Sequence, residues 1–317
     1  MSKLEKTGLN NGHEILFVCD ITCGNPNGDP DRKNKPRMDG DTNIVSPYRF
    51  KRTIRDWLNR VKGLEILVRD RTDINSKELF DGKTTAAEFA NDPYEIQKKC
   101  IDYRLFGAVL PVRTGKAKDS AITCTGPVQF GYGKSLHAVK IITMTGTGAF
   151  ASDEGKEQRT IRTDYLLPYS LICVDGQINK EHARLSGMTE SDRELLMEAL
   201  WAGTAWLSTT SKFSQVPRLL VDIEAARDGF FMGGLHETVT IDKKKKDGKD
   251  ILDEDLRTIH DYVLKIEPLF TMLNHFADSI KSVSVRVHPN VELDLSVEQL
   301  KEKFPRIEIY EIPAIQS

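Results

Sequence analysis

The sequence has no run of about 18 apolar residues, so no membrane-spanning helix is expected. Its first stretch, MSKLEKTGLNNGHE, lacks the apolar core of a secretory signal, and a cytoplasmic protein is expected. Cysteine is scarce. Cys19, Cys23, Cys100, Cys124 and Cys173 are odd in number and widely scattered, which argues for reduced thiols rather than a disulfide framework. Cys19 and Cys23 have no second Cys/His pair at zinc spacing, and Cys19 reads as a small core residue. The histidines are dispersed, with no HExxH, serine elbow or Cys–His pair. Gly131-Tyr132-Gly133-Lys134-Ser135 ends like a phosphate loop but lacks its leading glycine, which argues against nucleotide hydrolysis. No cofactor or metal is implied. Charge of one sign is also lacking: 45 basic against 47 acidic residues leave a net charge of −2. That total does not announce a nucleic-acid binder, but placement matters more than the sum.

What is present is a chain of 317 residues, 39% hydrophobic and 29% charged, long enough for a full core. Its basic residues crowd the first half between Arg32 and Arg71. Acidic residues gather late, in DEDL near 253 and in VELDLSVEQLKEKF.

Residues 14–20 read as a buried strand that opens into a rigid polar loop, CGNPNGDPDRKNKPRMDG. Ser46-Pro47 then has the form of an N-cap followed by proline at the first helical position. Over 48–61, Phe50, Ile54, Trp57, Leu58 and Val61 recur at helical spacing, with Arg49, Lys51, Arg52 and Arg55 on the remaining faces. Residues 63–118 read as a partly helical insertion broken at Asp92-Pro93. Residues 122–132 are strand-like, with glycines that mark bends or close approach. Residues 138–145 are β-rich, 146–163 form a polar excursion, and 165–174 resume as a strand turning at Asp175-Gly176. Thr189 to Asp192 resembles a capping box ahead of a helix burying Leu195, Leu196, Ala199, Leu200 and Leu207. Pro217 precedes a strand at 219–224. A charged break, DKKKKDGKD, spans 242–250, followed by a helix near 253–276 and a β-rich tail. Without its insertions the order is βαββαβ, the ferredoxin-like order shared by RNA-recognition domains.

Four features could carry chemistry. Asp20, Asp29, Asp31, Asp39 and Asp41 could bind Mg²⁺ and activate water for phosphodiester cleavage, but turn chemistry explains Asp-Pro and Asp-Gly steps more simply. Gly24, Asn25, Asn27 and Gly28 tolerate positive φ and could turn amides toward an anion, with Lys33, Lys35 and Arg37 following. The cations at the start of the first helix oppose its macrodipole, a conflict that an anionic ligand relieves; the alternative is a solvated face. The excursion at 146–163 carries Lys156, Arg159 and Arg162, suited to clamping a polymer or reaching a neighbour; the alternative is a disordered surface loop.

Together these stretches resemble a known family. EILFVCDITCGNPNGDPD…KPRMD, then YRLFGAV, TGPVQFGYGKSLH, IITMTGT and YLLPYSLICVDGQI follow, in order, the pattern of the backbone subunit of type I CRISPR interference complexes (Cascade), of the RAMP superfamily, in its I-B and I-C branch. The match runs over about residues 13–225. The resemblance implies an α+β fold in one domain: an RNA-recognition-like (ferredoxin-like) palm, a helical finger insertion at 63–118, a β-hairpin thumb at 141–163 and a C-terminal extension at 230–317 packed on the palm. It implies a non-catalytic, antiviral-defence subunit that polymerises as a homo-oligomeric filament along the CRISPR guide RNA. Such a subunit works with other Cascade subunits and presents the guide for pairing with target DNA. Candidate RNA-binding residues are Asn25, Asn27, Arg37, Arg49, Lys51, Arg52, Arg55, Lys134, Met144, Arg159 and Arg162. The alternative is a metal-dependent ribonuclease like type III backbone subunits, with Asp20 or Asp29 as the candidate.

Overall fold

The computed structural model describes residues 8–69, 85, 87–112, 120–147 and 161–312. Its framework consists of β1 (His13–Gly24), α1 (Pro47–Arg60), β2 (Val128–Phe130), β3 (Gly133–Ser135), β4 (Ile161–Ile178), α2 (Glu190–Trp206), β5 (Gln215–Ala225), β6 (Ile280–Val287) and β7 (Ile309–Glu311). These make a mixed α+β fold around one large sheet, ordered β7-β6-β5-β1-β4-β3, continued by strand Thr42–Val45. β2 pairs with β4 beside β3. Neighbouring strands are antiparallel except for β6 and β7.

β1 explains why the sheet forms. Nearly all its positions are buried, so it reads as a continuous apolar run rather than an alternation. Ile15, Phe17, Cys19 and Ile21 pack into a core with α1 and α2. Leu16 and Val18 point the other way, into a second core built from β4, β5 and residues 235–309. The C-terminal quarter thus covers the face of the sheet opposite the helices. Pro217 lies inside β5 opposite Cys19, where the register shifts. Such an irregularity tolerates a residue with no N–H to donate.

α1 follows its sequence pattern. Phe50, Ile54, Trp57 and Leu58 are buried, while Val61 falls outside the helix and is exposed. Gly203 of α2 sits against Trp57, where a Cβ would come within 3.0 Å. The capping box at α2 is present, with Thr189 and Asp192 bonding reciprocally. Asp192 also takes Arg104 in a two-pronged ion pair at 2.8 and 2.9 Å.

Several elements differ from expectation. Asp175-Gly176 is no turn: β4 runs straight through it. Gly176 pairs with Phe130, whose ring leaves 2.7 Å for a Cβ, so the glycine serves packing rather than chain reversal. Asp92-Pro93 starts a helix (Pro93–Lys99), Asp92 accepting the Tyr94 N–H. Residues 122–132 are two strands, not one. Ser120–Thr125 pairs with Gly107–Val112, and the chain bends at Gly126 before β2. Gly107 has φ +68, and a Cβ at Gly107 or Gly126 would meet backbone of the other segment at 2.0 Å. Residues 242–250 are ordered strands rather than a break, because Asp247 and Gly248, with φ 52 and 74, supply the turn a tight hairpin needs. The expected helix at 253–276 shrinks to Glu267–His275, preceded by strand Tyr262–Lys265 that pairs with Thr240–Lys243. β4 is longer than read, and its first part pairs with Ile142–Thr147 to make two arms of a hairpin. Most of the excursion between them lies outside the described residues.

Residues 65–125 carry a small core of their own, with Leu67, Phe89, Ile96, Cys100, Tyr103 and Leu110. It is fastened to α1 by charge. Asp102, 1% exposed, accepts Arg55 Nε at 2.8 Å, Leu67 N at 2.6 Å and Val68 N at 3.1 Å. Arg55 and Lys51 both lie over the Phe106 ring, at 4.8 and 5.2 Å.

Asp102→Asn puts an amide donor among these donors and leaves Arg55 unpaired. We expect a loss of about 3 kcal/mol, read from urea unfolding midpoints; a change below 1 kcal/mol refutes the fastening role. Burial first, then the charge of Arg55, pulls the Lys51 pKa down to about 8. The unfolded chain keeps that proton to about pH 10.4, so across this window rising pH stabilises the folded state. Wild type should therefore gain stability relative to Lys51→Met between pH 7.5 and 10. A constant difference refutes it.

Candidate functional site

The loop after β1 owes its shape to side chains that bond to backbone. Asn25 Nδ2 donates to Asn34 O at 2.7 Å, and Asn27 Oδ1 accepts Ser46 N–H at 2.7 Å. Ser46 occupies the N-cap of α1, but its own side chain does not cap. Asn43, fully buried, holds Arg37 O at 2.9 Å. Positive φ falls on Cys23, Lys33, Asn34 and Gly40, not on 24–28, so the expected amide cradle at Gly24, Asn25, Asn27 and Gly28 is absent. Gly24 is there for closeness: a Cβ would meet Ile21 at 2.4 Å and Ser211 O at 2.8 Å.

Ser211 brings a second loop, residues 207–214 between α2 and β5, against the first. Asn25 N donates to Ser211 O at 2.7 Å, and Ser214 Oγ donates to Thr22 O. Lys212 and Arg49 are close enough for the Arg49 charge to add to burial in lowering the Lys212 pKa. Arg49 itself is largely buried. Its Nε and Nη2 are shut from solvent and donate to nothing, and burial lowers its pKa, against the pull of Asp56. No acidic residue sits in the first turn of α1. This end of the helix therefore concentrates positive charge: dipole, buried guanidinium and lysine.

The α1 cations divide by helical face. Arg52 pairs with Asp56 at 3.1 Å beside Arg49. Lys51 and Arg55 point toward the 65–125 segment instead, Lys51 donating to Gln129 Oε1 at 2.9 Å. Arg37 pairs loosely with Asp29 at 3.3 Å. Along the other rim, Lys134 is exposed on β3, Met144 is exposed on the hairpin arm, and Arg162 pairs with Asp164 across an exposed 2.9 Å. Arg159 lies outside the described residues. Arg32, Lys35, Arg37 and Tyr132 border an open cleft of about 350 Å³. Sequence reading missed Lys212 and the exposed Phe213 beside it. The signal was there: STTSKFS is a polar loop with one lysine and one unburied aromatic.

The carboxylates do not converge. Asp20, a candidate of the ribonuclease alternative, is 1% exposed and turned into the core that the C-terminal quarter completes. It accepts Tyr169 Oη and Arg218 Nε, each at 2.8 Å, and Tyr262 Oη lies 2.6 Å from Tyr169 Oη. Burial raises the Asp20 pKa, opposed by Arg218 and Tyr169. Asp29 caps a short turn by accepting Asp31 N–H. Among the described residues no three His, Cys, Asp or Glu side chains gather as a metal site. No described helix is long and apolar enough to cross a membrane.

Comparison with known proteins agrees with this architecture. The chain matches solved structures described as a CRISPR RNA-guided surveillance complex, pre-nicking (TM-score 0.56, 12% identity, 95% of this chain and 96% of that one), and as a CRISPR RNA-guided surveillance complex (TM-score 0.50, 12% identity, 93% and 98%). It is 28% identical to the CRISPR-associated protein Cas7 of Haloferax volcanii, over 92% of this chain and 91% of that protein. The model of the family CRISPR-associated protein Cas7 matches residues 11–267, most of the chain, and the chain belongs to that family.

Proposed function

We propose that this chain is the guide-RNA-gripping backbone subunit of a type I CRISPR surveillance complex. The observation that carries the reading is Arg49, a guanidinium whose Nε and Nη2 are buried without an acceptor at the N-terminal end of α1, next to Lys212. Buried donors are rarely left unpaired, and each unmade bond costs about 1–3 kcal/mol. A phosphate at this point satisfies the guanidinium and complements the helix dipole at once. Arg52, Arg37, Lys134 and Arg162 extend the positive rim, with Asn25, Asn27, Lys51 and Arg55 shaping it from behind. Met144 belongs to the arm that reaches over the strand, and Arg159 is kept as a candidate from the sequence alone.

The strand order supports a ferredoxin-like, RNA-recognition-type palm. Counted along a βαββαβ core, β5, β1, β4 and β2/β3 are the fourth, first, third and second strands. The 65–125 segment with its own core serves as the finger. The paired arms 142–147 and 161–166 serve as the base of the thumb, and 230–317 as an extension on the palm. Copies stack head to tail along the guide, since an interface that does not close generates a filament. They share the complex with other subunits and leave guide bases free to pair with target DNA. Protein contacts go to the RNA backbone, and base pairing supplies specificity.

Arg49→Ala and Lys212→Ala should each reduce the salt slope of guide binding by about 0.7, equally for guides of any sequence, in filter-binding titrations across salt. Sequence-selective loss, or none, sinks the phosphate assignment. Arg49→Met should leave the RNA-free protein at least as stable as wild type, because it removes an unpaired buried charge.

The ribonuclease alternative needs a carboxylate able to reach the scissile phosphate, and Asp20 is occupied by Tyr169 and Arg218. Guide-loaded complex should leave complementary RNA intact in Mg²⁺ or Mn²⁺. Asp20→Asn should lower the unfolding midpoint while sparing guide binding. Regularly spaced cuts that vanish in Asp20→Asn or Asp29→Asn would establish the ribonuclease instead.

A further inference from the structure

Residues 242–250, DKKKKDGKD, are the one strongly patterned stretch that guide binding leaves unused. They fold into a protruding hairpin in which Lys245 and Lys246 pair with Asp250 and Lys249. Every residue from 245 to 250 is exposed, so no hydrophobic burial holds the tip together. The turn at Asp247-Gly248 does, through its left-handed φ angles. Lys246 and Lys249 stand directly opposite each other across the ladder. Like charges in that position destabilise a strand pair, so the tip keeps a repulsion that a polyanion would relieve. Lys245 has only a loose contact with Asp250, at 3.8 Å.

The base of the hairpin is pinned. Lys243 pairs with Asp253 at 2.5 Å and Lys244 with Glu292 at 2.6 Å. Asp253 also accepts Ala138 N–H at 3.2 Å, its carbonyl lies 3.1 Å from His137 Nδ1, and Glu254 pairs with Lys140. Residues 137–140 lead directly into Ile142–Thr147, the arm that displays Met144. The lysine tip is therefore fastened to the segment feeding the arm, on different elements from Arg49 and Lys212. Two separate basic groups on one subunit suit two nucleic-acid strands.

We propose that the Lys245–Lys246–Lys249 tip contacts the phosphodiester backbone of target DNA. This rests on the guide-binding reading above and extends it to a direct protein–DNA contact. Such a contact is independent of sequence and repeats with every copy along the filament.

The test uses guide-loaded complex in three forms: wild type, the Lys245→Glu/Lys246→Glu/Lys249→Glu triple variant, and the same positions changed to Arg. Guide loading is measured first. If wild type binds no guide, the underlying reading falls; if it binds, the outcome below bears on the hairpin alone. Binding of complementary single-stranded DNA and of target duplex is then titrated across salt. The Glu variant should load guide normally, bind target at least tenfold more weakly at low salt, and lose about 2 from the salt slope, three contacts at about 0.7 each on a single strand. The Arg variant should behave as wild type. Weakening with both DNAs assigns the contact to the paired strand, and weakening with duplex alone assigns it to the displaced strand; either supports the proposal. Unchanged target binding overturns it. Equal loss of guide loading overturns it in favour of a guide contact, and loss of another subunit from the complex overturns it in favour of an acidic protein partner.

Discussion

The burial of β1 on both faces is the constraint on which the rest depends. A strand with helices on one side and a polar, solvated face on the other would show alternation; β1 shows none. Leu16 and Val18 must be covered, and the C-terminal quarter covers them through Tyr262, Leu264, Phe270 and Val283 among others. Sheets of the RNA-recognition type stack bases on aromatics of an open face. Here the face opposite the helices is closed, and among the described residues charged groups lie instead at the rim, in loop 25–46, the start of α1, loop 207–214 and the hairpin arms, and on the lysine hairpin at 245–250.

The closed face also accounts for Asp20. A carboxylate in the middle of a two-sided core survives only with partners, and Tyr169 and Arg218 supply them while Tyr262 ties the network to the covering segment. Its raised pKa is the mark of that burial. Groups of this kind hold segments in register across a core and have little freedom to take on chemistry as well. Glu14 does similar work at the other end of β1, where its carboxylate accepts Met232 N–H and Gly233 N–H at 2.8 and 2.9 Å.

Arg49 is the contrast. Asp102 satisfies Arg55 and Asp192 satisfies Arg104, each with a carboxylate from a distant part of the chain. Arg49 has only the longer-range field of Asp56 to oppose its desolvation. Among the described residues Arg55 and Arg104 are thus neutralised by carboxylates, while Arg49 keeps buried donors idle at the helix end where an anion is most favoured.

Much was legible in the sequence. The apolar run of β1, the Ser46-Pro47 start and apolar spacing of α1, and the Thr189–Asp192 box all rest on local rules, and local rules hold where tertiary contacts agree with them. They failed where contacts overrode them. Asp175-Gly176 has turn chemistry, yet pairing with β1 and β2 continues the strand and the Phe130 ring takes the place of a side chain. The 253–276 pattern mixes apolar residues at helical spacing with Tyr262–Lys265, which pairing with Thr240–Lys243 claims as strand. Which arginine is a fastener and which is idle was not legible at all: Arg49, Arg52 and Arg55 look alike in sequence, and the difference lies in Asp102, 47 residues from Arg55. The sequence by itself determined the elements and the crowding of positive charge in the first half. Only the tertiary structure decided which charges are cancelled, because an ion pair forms wherever folding brings a carboxylate within reach, and that depends on segments far apart in the chain.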